Sequence, residues 1–233
     1  MARLYLIPNL ITSESELGQL PSDIKQIIEK INIYIVENIR NARRFIKSIY
    51  KEKDIDQIVF FELNKHTIKN KIPSFLNPAF EGKDIGLISE AGVPCVADPG
   101  SVIVDLAHQK NIEIVPLVGP SSILLALMAS GLNGQQFCFH GYLPVHKNER
   151  IQAVKQLENN AIRLNQTQVF IETPYRNNQL LTDIISVCKD TTKVCIASEI
   201  LSVNSFIKTR PVFQWKKDLP DLHKKTVVFL LGV

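Results

Sequence analysis

Few residues in this chain have types and spacing that suit chemistry, and they fall into two groups. The first is a pair of turns: Glu90 stands in Ser89-Glu-Ala-Gly-Val-Pro94, and Ser121 and Ser122 follow Gly119-Pro120. A carboxylate and two hydroxyls amid close-approach backbone suit a ligand rich in hydroxyl, amino and ring-nitrogen groups but poor in phosphate, held by main-chain amides and carbonyls. The second group is a stripe of cations. Arg40, Arg43, Arg44, Lys47 and Lys51 recur at helical spacing and share about a quarter to a third of the circumference at ~100° per residue. Ala42, Phe45, Ile46 and Ile49 occupy the opposite side. Solvated helix faces normally mix signs; cations without an acid on one stripe point to phosphate contact. Lys65, His66, Lys69 and Lys71 form a second, smaller basic cluster.

Other chemistries lack their residues. There is no G-x-x-x-x-G-K-[ST], no G-x-G-x-x-G after a strand and no G-x-S-x-G elbow. Cys95, Cys138, Cys188 and Cys195 lie far apart without a Cys-x-x-Cys pair, and the histidines show no ligand spacing, so the thiols read as reduced core residues and no metal is expected.

The two turns must be positioned by strands. Ile85–Ser89 and Ile112–Val118 are apolar runs, each ending in a glycine- and proline-rich turn that opens a helix. Asp98 is the expected cap of the first helix, with Pro99 in its first turn, and Gly131 stops the second, which covers Ser121–Ser130. Strand, turn, helix, strand, turn, helix implies parallel strands with both turns at one carboxyl edge, where open α/β sheets place ligands. Upstream, Leu4–Ile7, Ile33–Val36 and Gln57–Phe61 are further strands. Ser22 is the expected cap of a helix carrying Ile24, Ile27, Ile28 and Ile31, and Ser74–Gly82 reads as helical. These strands make a complete parallel layer, so the fold expected is α/β in two domains, 1–118 and 119–233. The second, a mixed α/β piece with longer, partly exposed strands, contains Phe137–Leu143, Gln168–Glu172, Lys193–Glu199 and Thr226–Leu231. It also has helices over about Lys147–Asn159 and around Leu180–Ile185, and Ser205–Trp215 as a hairpin or edge piece.

With 45% hydrophobic and 21% charged residues, the chain can build a core in each domain. No apolar stretch reaches the ~18 to 20 residues needed to span a bilayer, and the N-terminus does not read as a signal peptide, so a soluble cytoplasmic protein is expected. The net charge of +4 permits an anionic partner.

Six motifs follow one another in order: Ser89-Glu-Ala-Gly-Val-Pro94, Ala97-Asp-Pro-Gly100, Val115-Pro-Leu-Val-Gly-Pro-Ser121, Ala129-Ser-Gly-Leu132, Phe139-His-Gly-Tyr-Leu-Pro144 and Ile171-Glu-Thr-Pro-Tyr-Arg176. Their order and spacing resemble the tetrapyrrole methylase superfamily, and within it the ribosomal RNA small subunit methyltransferase I branch, which methylates a cytidine 2′-hydroxyl with S-adenosylmethionine. The resemblance implies two α/β domains with S-adenosyl-L-methionine in the cleft between them, a homodimer, and ribosomal RNA or the small ribosomal subunit as partner. It places Pro8, Ser89, Glu90, Ala91, Ser121, Ser122, Glu172 and Ala197 at cofactor-contacting positions. Glu90 and then Glu172 are the candidate bases, with Arg176 orienting substrate or pairing with Glu172.

Three places depart from that branch. Its P-T-P-I-G-N loop is Pro8-Asn-Leu-Ile-Thr-Ser13 here, without the glycine. Its E-D-T-R is Glu37-Asn-Ile-Arg40, and the chain ends at Gly232-Val233 where the branch carries a further extension. Two other functions fit the same motifs: a small-molecule methylase acting on a tetrapyrrole-like ring, and a degenerate S-adenosylmethionine-binding interaction module.

Overall fold

A computed structural model describes residues 2–12 and 19–233; Ser13, the last residue of the first loop, lies outside them. The chain divides into two compact units, Met1–Ser121 and Ser122–Val233.

The first unit contains strands β1 (Arg3–Ile7), β2 (Ile33–Val36), β3 (Val59–Glu62), β4 (Ile85–Ile88) and β5 (Glu113–Pro116) in one sheet. All are parallel, in the order β3-β2-β4-β1-β5. The inner strands β2 and β4 are buried along their whole length while β3 and β5 keep exposed ends, as expected of a sheet covered on both faces. On one face Ile7, Tyr34, Val36 and Ile88 pack against α1 (Asp23–Lys30) and α2 (Ile39–Ile49). On the other, Leu4, Ile35, Ile85 and Leu87 meet a 3-10 segment (Lys69–Leu76) and α4 (Ser101–Gln109), with the short α3 (Asn77–Phe80) between them in sequence.

Local capping differs from the sequence reading at two helices. Ser22 is itself helical and makes no side-chain cap. Asp98 does not cap α4 either: the helix begins at Ser101 behind Gly100, because the Asp98 carboxylate is committed to main-chain donors of its own loop. At α2 the cap is Asn38, which accepts from the Asn41 N–H at 3.1 Å. Asparagine and aspartate cap equally well, so the change from E-D-T-R preserves this helix start.

The second unit begins with α5 (Ser122–Ser130), ended by Gly131 at φ +69°. Its mixed sheet contains β6 (Phe137–Tyr142), β7 (Thr167–Ile171), β8 (Lys193–Ser198), β9 (Phe206–Pro211) and β10 (Val227–Gly232). The order is β6-β7-β10-β8-β9, with only β6 and β7 parallel. Ser205–Trp215 supplies the edge strand β9, a hairpin partner of β8, followed by the short α8 (Val212–Trp215). The helix predicted to end near Asn159 continues as α6 (Lys147–Leu164), and α7 spans Asn177–Val187.

These strands are less exposed than expected, since β10 is buried throughout and β7 and β8 nearly so. Successive side chains of β10 serve opposite layers. Val227, Phe229 and Leu231 pack with α6, α7 and α8, while Val228 and Leu230 pack with Ile123, Ala126 and Leu127 of α5. Among the described residues no helix is long and apolar enough to cross a membrane.

Candidate functional site

In the first unit the site is built where three carboxyl ends lie side by side. Because β1 sits between β4 and β5, the loop after Ile7 is flanked by the Ser89–Gly100 loop and by Leu117–Ser121. The packing is tight. A Cβ on Gly119 would lie 2.2 Å from Cβ and 2.4 Å from Cγ of Pro8. Gly92 has φ +68°, a conformation that favours glycine, and faces the Pro120 carbonyl.

Asn9 clasps the first loop. Its N–H donates to Gly92 O at 2.9 Å and its carbonyl accepts from Gly92 N at 3.2 Å. Its side-chain amide donates to the Ser89 and Glu90 carbonyls at 3.0 and 3.2 Å. Ser89 is buried and donates its hydroxyl to Gly92 O at 2.6 Å. An asparagine thus holds the two loops together. An Asn9→Ala variant loses both side-chain bonds to those carbonyls; at about 1 kcal/mol for each hydrogen bond, cofactor affinity measured by calorimetry is expected to fall by up to roughly thirtyfold.

Glu90 is exposed and accepts from the Asn41 side-chain amide at 2.7 Å. That bond joins the loop to the first turn of α2, whose Arg40, Arg43, Arg44 and Lys47 are all exposed, as is Lys51 just beyond. The cationic face is as read from the spacing, with Ala42, Phe45 and Ile46 buried opposite it. Arg43 lies over the Phe60 ring at 5.6 Å, and the Lys47 ammonium donates to Lys51 O at 2.9 Å.

Two acids not read from the sequence as site residues stand at the same edge. Glu37 and Asp98 line a small cavity with Val36, Leu63, Leu87 and Ile88. Asp98 accepts from Cys95 N at 2.9 Å and Gly100 N at 2.7 Å, pinning a loop in which Cys95 and Ala97 adopt φ +68° and +61°. Such strain in non-glycine residues persists only where neighbours impose it. Burial raises the Asp98 carboxyl above its ordinary value, although those two bonds pull it down. Burial also raises Glu37, with Asp98 and Glu90 adding repulsion.

A carboxyl raised in the fold stabilises it fully below its unfolded pKa, and that contribution is lost as pH rises through the folded value. Melting temperature is therefore expected to decline as pH climbs from the ordinary carboxyl range toward neutrality. Glu37→Gln should flatten that decline; an unchanged pH profile would show that Glu37 carries none of it. The Asp98 signal in the sequence was its position just before Pro99-Gly100, which reads equally as a cap or as a turn.

In the second unit Glu172 directly follows β7, and Ala197 and Ser198 end β8; both ends flank the start of β10, where Val228 pairs with Ile171 and Ala197. Glu172 is buried, and its Oε1 accepts from Thr173 N at 2.6 Å and from Arg176 Nε and Nη2 at 3.0 and 2.5 Å. Its other oxygen, Oε2, is buried without a partner, as is the Ser198 hydroxyl. Native structures rarely leave buried polar atoms orphaned, and these two stand at the same sheet edge. Ser121 and Ser122 are both half-buried, and Ala197 is buried within β8.

All four cysteines are free. Cys188 and Cys195 are buried, Cys95 and Cys138 half-buried. Burial pushes the Cys95 thiol up to about 11 and Cys188 up to about 12, so neither is a ready nucleophile. Among the described residues no cluster of His, Cys, Asp or Glu could hold a metal ion.

No protein-family model matches the chain. It is 29% identical over 231 residues to the ribosomal RNA small subunit methyltransferase I of Buchnera aphidicola subsp. Schizaphis graminum, covering 98% of this chain and 77% of that protein. Among solved structures it is similar to the methyltransferase CobJ, with a TM-score of 0.67 and 15% identity over 100% of this chain and 94% of that one. The cobalamin biosynthetic enzyme cobalt precorrin-4 methyltransferase, CbiF, superposes with a TM-score of 0.61 at 12% identity, covering 99% of this chain and 94% of that one. The chain has the tetrapyrrole methylase fold. The parallel first sheet and the mixed second sheet expected of that fold are both present.

Proposed function

We propose that this protein is an S-adenosylmethionine-dependent methyltransferase that methylates a ribose 2′-hydroxyl in small-subunit ribosomal RNA. The similarity along 98% of the chain to a ribosomal RNA small subunit methyltransferase I carries the reading. The exposed cationic face of α2 supports it independently.

The residues present fit the cofactor. Glycine-lined loops around Pro8 allow close approach of main-chain groups, and the orphaned Ser198 Oγ offers an acceptor for hydroxyl or amino donors. We assign Pro8, Ser89, Glu90, Ala91 and Ser121 of the first unit, and Ser122, Glu172 and Ala197 of the second, to cofactor binding. Bound S-adenosylmethionine supplies a methyl group already activated on a sulfonium, so the protein's task is alignment.

The ribose hydroxyl must also lose its proton, and a carboxylate within hydrogen-bond reach serves as base. Glu172 and Glu90 are the two we assign. Arg176, fixed against Glu172, holds that carboxylate in one orientation. Arg40, Arg43, Arg44, Lys47 and Lys51 receive RNA phosphates. We assign the protein to the cytoplasm, as a homodimer that sedimentation of the purified chain tests directly.

Incubation with labelled S-adenosylmethionine and small ribosomal subunits from cells lacking the modification should place label on a 2′-oxygen of the RNA. In a parallel incubation with a tetrapyrrole, label there and none on the RNA would select the small-molecule reading, and no cofactor binding at millimolar concentration would leave an interaction module. Neutralising Arg43, Arg44 and Lys47 together should weaken RNA binding more than tenfold. The salt slope should fall by about 2 to 3, at ~0.7 to 0.9 for each phosphate no longer neutralised. Affinity and slope unchanged in that triple variant would remove α2 from the RNA interface.

A further inference from the structure

The turn after β7 and the loop before β10 meet at the edge that carries Glu172 and Ser198, and they are fastened together. Lys224 N donates to Pro174 O at 3.0 Å. The buried Asn177 amide donates to Lys225 O at 2.8 Å. Asn178 accepts from Leu222 N at 2.8 Å and donates to Asp221 at 2.8 Å. Lys224 is held at φ +61°, a conformation that a lysine adopts only when its surroundings dictate it.

This clamped pair of loops displays an aromatic ring to solvent. Tyr175 is 72% exposed, and the exposed His223 meets it edge-on with ring centroids 5.8 Å apart. Arg176, Lys224 and Lys225 neighbour the pair along the chain, and the Asp221 carboxylate is already engaged by Asn178 and by the His223 N–H. An exposed tyrosine has no packing role that would explain so rigid a support. A ring with cations beside it is what binds an unpaired nucleobase, because every base has a π-face and a neighbouring phosphate.

Resting on the ribosomal RNA reading, the geometry points to Tyr175, braced by His223, as a stacking platform for one unpaired base of the RNA substrate, beside Glu172. Arg176, Lys224 or Lys225 receives the adjoining phosphate. The protein therefore prefers single-stranded or looped RNA to duplex.

The test uses the full chain and a short single-stranded oligoribonucleotide carrying 2-aminopurine, whose fluorescence is quenched by stacking, alongside the same strand paired with its complement. The intact protein should quench the single strand and bind it more tightly than the duplex. Tyr175→Ala should lose the quench and about tenfold in affinity, with melting temperature, S-adenosylmethionine affinity and salt slope unchanged, because the substitution removes an exposed ring and no phosphate-binding charge. Tyr175→Phe should retain both, and His223→Ala should show a smaller loss.

Wild-type quenching and affinity in Tyr175→Ala, or a loss in Tyr175→Phe equal to that in Tyr175→Ala, overturns the platform. If the α2 triple variant then still weakens binding, the RNA reading stands without the platform. If the intact protein binds neither RNA, both fall.

Discussion

Gly119→Ala is expected to lower S-adenosylmethionine affinity by well over tenfold and to reduce the melting temperature by several degrees. The added methyl would sit 2.2 Å from the Pro8 Cβ, against an ordinary carbon separation of ~3.5 to 4.0 Å. Neither partner can yield by a rotamer change, because one atom is fixed to backbone and the other belongs to a proline ring. A loop must move, and Pro8 is followed by Asn9, which is bonded to Gly92, Ser89 and Glu90. The displacement therefore spreads to every loop of the first-unit site.

Overpacking of this kind costs about 1 to 3 kcal/mol, which for a chain of this size lowers the melting temperature by about 2 to 4 °C per kcal/mol. Gly134→Ala is the matched control, since a Cβ there meets nothing within 4 Å. Calorimetry that finds wild-type affinity in Gly119→Ala would separate this loop pair from the cofactor site.

Glu172→Gln is expected to reduce the rate of methyl transfer by about 10² to 10⁴, the range for loss of a general base, with cofactor affinity changed only a few-fold. Glutamine preserves the shape and can still accept from Thr173 N and Arg176 through Oε1. It cannot take a proton from a ribose hydroxyl. Glu172 is suited to that task by its unpartnered Oε2, held in place because Oε1 is committed to three donors. Single-turnover rates separate the chemical step from release of product.

The comparison with Glu90→Gln decides between the two carboxylates. Glu90 is exposed and restrained by a bond from Asn41, so its replacement is expected to cost less than tenfold in rate. Near-wild-type turnover in Glu172→Gln would make the Glu172–Arg176 pair a structural brace, and a large loss in Glu90→Gln would move the base to the first unit.

The strands, helices and cationic face were legible in the sequence because each depends on residues a few positions apart. Ile33–Val36 reads as a strand from its own composition and is β2 with those bounds. The α2 stripe follows from helical periodicity, and Gly131 marks the end of α5 by its freedom at positive φ. Local reading erred where a side chain had a distant or competing partner. Asp98 reads as a helix cap from its neighbours, yet its carboxylate is bonded to Cys95 N and Gly100 N. The second-unit strands read as partly exposed from polar residues such as Gln168 and Ser198, yet layers packed on both faces of the sheet bury them.

What the amino-acid order determined by itself is the set of elements, their parallel or mixed pairing type and the motifs that resemble methylases. Only the tertiary structure decided that β1 lies between β4 and β5, and this placement brings Pro8 against Gly119 and Asn9 against Gly92. It likewise set the Tyr175 turn on the His223 loop and left Glu172 Oε2 buried without a partner. The reason is physical: propensity and periodicity act over one or two turns of chain, whereas close packing and hydrogen-bond satisfaction act on whatever residues folding brings together.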